Sequence, residues 1–473
     1  MSKGLLKLLT LMMVVVLVVG LAAGCKKDPV VDPTKKPDTT KTPDQTEEPD
    51  EIRDLDGRVI KVGAWWDMSP DEESPFGAKQ AARREEMQEK YNFEFEFVST
   101  EWGMVNETYS SSVLAGEPWA DIATLEDNWL VSHVRLKEVT PLNDLFDLSD
   151  EKWDTLTKDI TTIDGKTYGV ASGKWWPRGM FFFNKRIFDD AGIPYPYELL
   201  ESKEWTWDKV EEYAKKLTLD LDNDGTIDQW GLAGIDMDVA MVFANGSEMI
   251  TYENGVGTVN LRDPKAVTAL ERFYKWRHTD GILYNKFDYQ AEEIPWDIAK
   301  QEFQNGKIAM FWYQYWNTDD FYGGMADDYG IMLPPIGPDD PDNNYKALIT
   351  GHNFQTIPAN VANVDDVAFI WNKWTEPFED DDEDAWKEGH ETKLRDLESY
   401  DVLEYMYEND CFASIGLFGS SGAHEPWWGG QDDLLKGEKT VAEIIDEKFD
   451  ALQGVVDDFL SDEEADEEAD EEA

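Results

Sequence analysis

Apolar and polar positions along this chain fall into short runs with two different periods. Val59, Ile60 and Val62 make a compact apolar strand that ends at Trp65-Trp66-Asp67. A helical stretch over 76–90 follows. Phe93, Phe95 and Phe97 then alternate with Asn92, Glu94 and Glu96, the period of a half-buried strand. Strand, helix and strand at this spacing predict a βαβ unit on a parallel sheet. Val210, Tyr213, Ala214 and Leu217 recur at i, i+3, i+4 and i+7, the stripe of an amphipathic helix. Met180 to Phe183 form a wholly apolar strand, after which a short helix is ended by Gly192 and Pro194. Another helix is predicted from Trp296 to Asn305, stopped at Gly306.

The two ends depart from this patterning. Lys3 and Lys7 precede an apolar run from Leu8 to Val19, and Leu21-Ala22-Ala23-Gly24-Cys25 follows. A positive start, a short apolar core and small residues mark an export signal rather than a spanning helix. The residues before Cys25 resemble a bacterial lipobox, which implies lipidation of Cys25; a secretory peptide cut near Ala23 is the alternative. Residues 26–52 carry Pro29, Pro33, Pro37, Pro43 and Pro49 among Asp, Thr and Lys, the composition of a disordered tether. Residues 461–473 hold nine acidic residues and read as a disordered tail. The acidic run Glu379 to Asp384 reads as an exposed loop.

Composition narrows the partners. The 473 residues carry 100 acidic against 43 basic groups, a net charge of −57. That field repels phosphate backbones and excludes nucleic acid as a natural partner. It also disfavours an anionic ligand unless a local basic pocket exists, whereas a neutral sugar meets no such barrier. With only Cys25 and Cys411, no disulfide framework forms in a processed domain, and Cys411 reads as a buried small hydrophobe.

Several stretches resemble, in order, the bacterial extracellular solute-binding proteins of family 1, which serve carbohydrate ABC importers. Asp164 to Pro194 resembles the family's central crossover between lobes. Ala115-Gly116-Glu117-Pro118-Trp119-Ala120-Asp121 resembles its Gly-x-x-Pro-Asp turn, with Trp119-Ala120 inserted. Phe303 to Met310 is similar to its Phe-x-x-Gly-Lys-x-Ala-Met signature, with a spacer one residue longer. Gly330 to Pro335 resembles the return through the hinge. The resemblance implies an α/β, two-lobe fold of the periplasmic-binding-protein type, with hinge strands and a cleft between lobes. The first lobe would be 53–172 plus 307–336, and the second 178–304 plus 345–460. It also implies a monomeric, lipid-anchored receptor on the outer face of the cytoplasmic membrane, delivering a sugar to ABC permease subunits.

A sugar offers apolar C–H faces and a rim of hydroxyls, so aromatic rings with nearby carboxylates, amides and Arg would hold it. Carboxyl strand ends line the crevice of doubly wound sheets, which makes Trp65, Trp66 and Asp67 candidates. Trp129, the crossing residues Trp175, Trp176 and Arg178, and Trp316 after the Ala-Met signature are implied by the resemblance. So are Trp427 and Trp428 in a Pro-Trp-Trp-Gly-Gly segment, and Asp236 and Asp238 on a second-lobe loop. At least one member of each adjacent Trp pair is expected to face the ligand.

Separately, Asp220, Asp222, Asp224, Gly225, Thr226 and Asp228 follow the first nine positions of an EF-hand loop, but Gly231 replaces the bidentate Glu at the twelfth. A structural Ca²⁺ site and a metal-free acidic turn both remain open; no other cofactor is required. Catalysis finds little support. There is no Gly-x-Ser-x-Gly elbow, no His-Glu-x-x-His and no phosphate-cradling loop. The rivals are a secreted glycosidase, whose carboxylate pair hides among so many acids, and a sensor or adhesin that binds sugar without transport.

Overall fold

The computed structural model describes residues 53–253, 256–289, 293–349, 351–379 and 385–471. The export signal at 1–25 with Cys25, the tether at 26–52 and most of the 379–384 run lie outside the described residues. Among those described, no helix is long and apolar enough to cross a membrane.

In chain order the framework is β1 (Arg58–Ala64), α1 (Pro75–Tyr91), β2 (Phe93–Ser99), β3 (Ile122–Glu126), α2 (Asp127–Arg135), β4 (Gly179–Asn184), β5 (Trp230–Gly234), α3 (Met237–Ala244), β6 (Ile308–Gln314), β7 (Tyr329–Met332), β8 (Ala347–Ile349), β9 (Asn353–Thr356), α4 (Val364–Trp374), β10 (Phe412–Ser414), α5 (Leu417–Ser420), α6 (His424–Lys436) and α7 (Val441–Glu471). The βαβ expectation holds: β1 pairs in parallel with β2 and with β3. Ser74 caps α1 by accepting from the Gly77 N–H, with Pro75 in the first turn, and Asn92 ends the helix in a left-handed conformation.

Each lobe is built on one four-stranded sheet. The first runs β9-β3-β1-β2 and the second β7-β4-β6-β5. Ile60, Val62, Phe93, Ile122 and Trp153 share a core with Ile370 and Trp371 of α4. The second sheet buries Met180 to Phe183 against Leu232, Met310 and Phe311.

This topology corrects the expected lobe boundaries. Residues 307–336 belong to the second lobe, because β6 lies between β4 and β5 and β7 pairs antiparallel with β4. The chain instead returns to the first lobe between β8, which pairs with β10, and β9, which pairs with β3. It stays there through α4. A run such as Ile308–Trp312, buried throughout, fits any strand covered on both faces. Its periodicity says nothing about which sheet takes it. The acidic tail also departs from expectation: α7 continues to Glu471, in keeping with the high helix propensity of Glu and Ala.

Candidate functional site

The parallel strands β1, β2 and β3 end on one edge of the first sheet, and four tryptophans gather there. The rings of Trp65 and Trp66 meet edge to face at 4.7 Å. Trp65 meets Trp129 of α2 at 5.4 Å, and Trp129 meets Trp102 at 5.6 Å. Trp66 is 39% and Trp102 55% exposed, so the cluster presents open ring surface. Trp102 was not among the residues singled out from the sequence, although its place just past the end of β2 obeys the rule that selected Trp65. Asp67 is exposed, and its carboxylate accepts from the Ser69 N–H at 2.9 Å. The Ser69 side chain and backbone together lower its pKa. Asp67 thus caps its own turn.

The crossing between lobes sorts its residues sharply. Trp175 is buried, with its ring edge-on to Tyr407 and Phe412; it belongs to the second-lobe core, not to a ligand platform. Trp176 is open to solvent and lies 4.6 Å from the His390 ring. Gly179 is required here, because a Cβ would meet the Trp312 ring at 2.3 Å. Arg178 is only 8% exposed. Its Nε finds no hydrogen-bond partner, and burial pulls its pKa down against the attraction of Glu126 and Asp127.

Those two carboxylates come from the end of β3 and the start of α2, in the other lobe. Burial pushes Glu126 up to about 7, partly offset by Arg178 and by the Trp102 side chain. Burial likewise raises Asp127 to about 6, although the His352 N–H donates to it at 2.9 Å. His352 is driven down to about 3 by burial and then by Arg178, and it is paired with the Thr157 hydroxyl at 2.8 Å.

The second lobe offers its own edge where β5 and β6 end. Trp316 is 42% exposed. Its ring meets Tyr313 at 6.0 Å, and the Lys300 ammonium lies 5.8 Å above it. Trp296, also missed from the sequence, is open to solvent and meets Tyr313 at 6.3 Å. Asp236 is exposed, in a left-handed conformation before α3. Asp238 and Trp427 are buried and bonded to each other, the indole donating at 2.8 Å. Gln431 donates to Asp238 at 2.5 Å and to Asp236 at 3.3 Å. Burial raises Asp238 to about 6. Asp238 and Trp427 therefore anchor α6 to α3, which corrects their placement among ligand contacts. Trp428, next in sequence, is exposed beside His424.

The lobes also touch directly. Helix α5 packs on α2, and the Arg135 guanidinium of α2 lies 4.7 Å over the Phe459 ring of α7.

Away from this region, the Asp220, Asp222 and Asp224 carboxylates lie within 4.8 Å of one another. The turn supplies N–H donors to them: Gly225 to Asp220 at 2.9 Å and Thr226 to Asp224 at 2.7 Å. Gly225, at φ +94°, permits the reversal. Asp228 is not part of this convergence; its carboxylate accepts from the Leu221 N–H at 2.8 Å.

Comparison with known proteins supports the architecture. No curated protein matches the chain in sequence. Among solved structures, the ABC substrate-binding protein Lmo0181 of Listeria monocytogenes, in complex with cycloalternan, is similar with a TM-score of 0.62 at 15% identity, covering 84% of this chain and 99% of that one. The GacH receptor of Streptomyces glaucescens, solved unliganded and with acarbose, gives 0.61 at 16%, with 85% and 99% covered. The maltose/maltodextrin-binding domain MalE of Bdellovibrio bacteriovorus, bound to maltotriose, gives 0.56 at 16%, with 86% and 99% covered. These likenesses show the two-lobe fold of periplasmic binding proteins. The sequence profile of the bacterial extracellular solute-binding proteins matches residues 69–377, well over half of the chain. The chain belongs to the bacterial extracellular solute-binding protein family.

Proposed function

We propose that this protein captures a neutral sugar, an oligosaccharide, between its lobes and delivers it to the permease subunits of an ABC importer. The observation that carries the reading is the cluster of Trp65, Trp66, Trp102 and Trp129 at the carboxyl ends of parallel strands, with open ring faces. Such rings cover the C–H faces of sugars, and burying one contributes roughly 1.5–3 kcal/mol. Trp316, Trp296, Trp176 and Trp428 provide further faces from the second lobe. The solved relatives that carry cycloalternan, maltotriose and acarbose support the same ligand class.

The mechanism is capture by hinge closure, without chemical change of the sugar. The receptor acts as a monomer, held at the outer face of the cytoplasmic membrane by lipid on Cys25. The Asp220, Asp222 and Asp224 carboxylates and the Thr226 carbonyl would hold a structural Ca²⁺ that pins this second-lobe turn.

The test is a melting-temperature screen against maltotriose, cellotriose, xylotriose and their longer homologues, with chromatography of each mixture afterwards. A rise in melting temperature with the sugar recovered intact is the expected result. Cleaved sugar would make the protein a glycosidase, and no response to any sugar would remove carbohydrate as the ligand.

A further inference from the structure

The family profile ends at residue 377, and the segment 386–395 beyond it packs against the crossing between lobes. It is tied to the second lobe at several points. Trp386 meets the Tyr407 ring edge to face at 5.3 Å and the His390 ring at 5.7 Å. Lys393 pairs with Asp319. The Arg395 guanidinium donates to the carbonyls of Phe321 at 2.9 Å, Met325 at 2.8 Å and Asp327 at 2.9 Å. His390 is 3% exposed, and its Nδ1 lies 2.6 Å from the buried Tyr315 hydroxyl. Burial, and then Lys393, pull His390 down to about 3, so the ring is neutral and accepts from that hydroxyl. The Tyr315 N–H donates in turn to the Arg178 carbonyl at 2.7 Å.

Trp176 rests on this segment. Its ring lies 4.6 Å from His390 and 6.3 Å from Tyr315, with the Lys393 ammonium 5.5 Å away. A Cβ on Gly389 would sit 3.4 Å from the indole Cη2, and only Trp176 atoms come within 4 Å of that position. Yet Trp176 keeps 43% of its surface open. An indole standing free would lose side-chain freedom when a ligand orders it, which weakens binding. Packing and a second layer of hydrogen bonds that fix the ring beforehand remove that loss. We propose that residues 386–395 are a positioning strap: His390, fixed by Tyr315, and Gly389 back the Trp176 indole and hold its open surface at the tilt on which a sugar ring lies. Trp176 makes the contact, and His390 acts only through it.

This inference rests on the sugar-binding reading, and a double-mutant cycle separates the two. Full chains of wild type, Trp176→Ala, His390→Ala and Gly389→Val, and of the latter two combined with Trp176→Ala, are melted alone and titrated with maltotriose, cellotriose and xylotriose. For whichever trisaccharide binds wild type, Trp176→Ala should weaken binding about 10- to 100-fold. His390→Ala and Gly389→Val should each weaken it about 2- to 10-fold and add nothing once Trp176 is Ala. Gly389 is exposed, so Gly389→Val should melt as wild type, and it carries the test if His390→Ala fails to fold. Wild-type affinity in any of the three single variants, or a loss that persists in the Trp176→Ala background, would make the strap structural only and overturn the proposal. If wild type ignores all three sugars, the carbohydrate reading itself fails, and the strap's role with it.

Discussion

The exposed tryptophans of the two lobes are arranged on different principles. In the first lobe, Trp66, Trp65, Trp129 and Trp102 touch in an unbroken chain, edge to face at the first two contacts and tilted at the last. In the second, the exposed rings stand apart, and several sit beside a polar group: Trp176 by His390, Trp316 by Lys300, Trp428 by His424. Under the proposed function, the first set would serve as a shelf that covers sugar rings whatever their hydroxyl pattern. The second set would discriminate, because Trp176, Trp316 and Trp428 each sit beside a donor or a charge. On that reading the contrast would separate affinity from specificity.

The largest effect expected from breaking this arrangement lies behind it. Trp427, 1% exposed and bonded to Asp238, should cost about 3–5 kcal/mol of stability when changed to Ala, read by chemical denaturation. Trp428→Ala should cost little stability and act on binding. The shelf comes next. Trp66→Ala should weaken sugar binding by roughly 1.5–3 kcal/mol by titration calorimetry, with the melting curve nearly unchanged. Trp316→Ala on the other face should cost roughly 1–3 kcal/mol of affinity and change the order of preference among sugars, whereas Trp66→Ala should leave that order intact. Equal effects on preference would erase the distinction between the faces.

A smaller effect depends on pH. Glu126 titrates near 4.5 unfolded and at about 7 folded, so the fold penalises its ionised form. The stability tied to its neutral form is full below about pH 4.5 and is lost as pH rises through about 7. Glu126→Gln cannot ionise, so its advantage over wild type should grow across that window by about 1–3 kcal/mol, measured by denaturation at several pH values. A difference independent of pH would contradict the burial of this carboxylate. The smallest effect belongs to the remote turn. Asp222→Ala should lower the melting temperature by about 1–3 °C in calcium and not at all in chelator.

Local pattern made much of this legible. The alternation at Phe93, Phe95 and Phe97 located β2, and the stripe from Val210 to Leu217 matches the helix Trp207–Leu217. What failed was pairing. Ile308–Trp312 and Tyr329–Met332 are buried along their whole length, and such runs do not encode which sheet receives them. Adjacent tryptophans posed a second limit. In 175/176 and 427/428 one ring is buried and its neighbour exposed, as expected when neighbouring side chains point apart. Which is which depends on partners such as Tyr407 and Asp238, both distant in sequence. The link between Gln431 and Asp238 spans 193 residues and leaves no local trace.

The central claim, that both aromatic faces close on one sugar, is tested most directly by tryptophan emission during sugar titration of the full chain and of a Trp66→Ala/Trp316→Ala double variant. The account predicts a saturable emission change in wild type that is lost in the double variant while its melting curve is kept. An unaltered titration in that variant, or no emission change in wild type with any sugar, would contradict it.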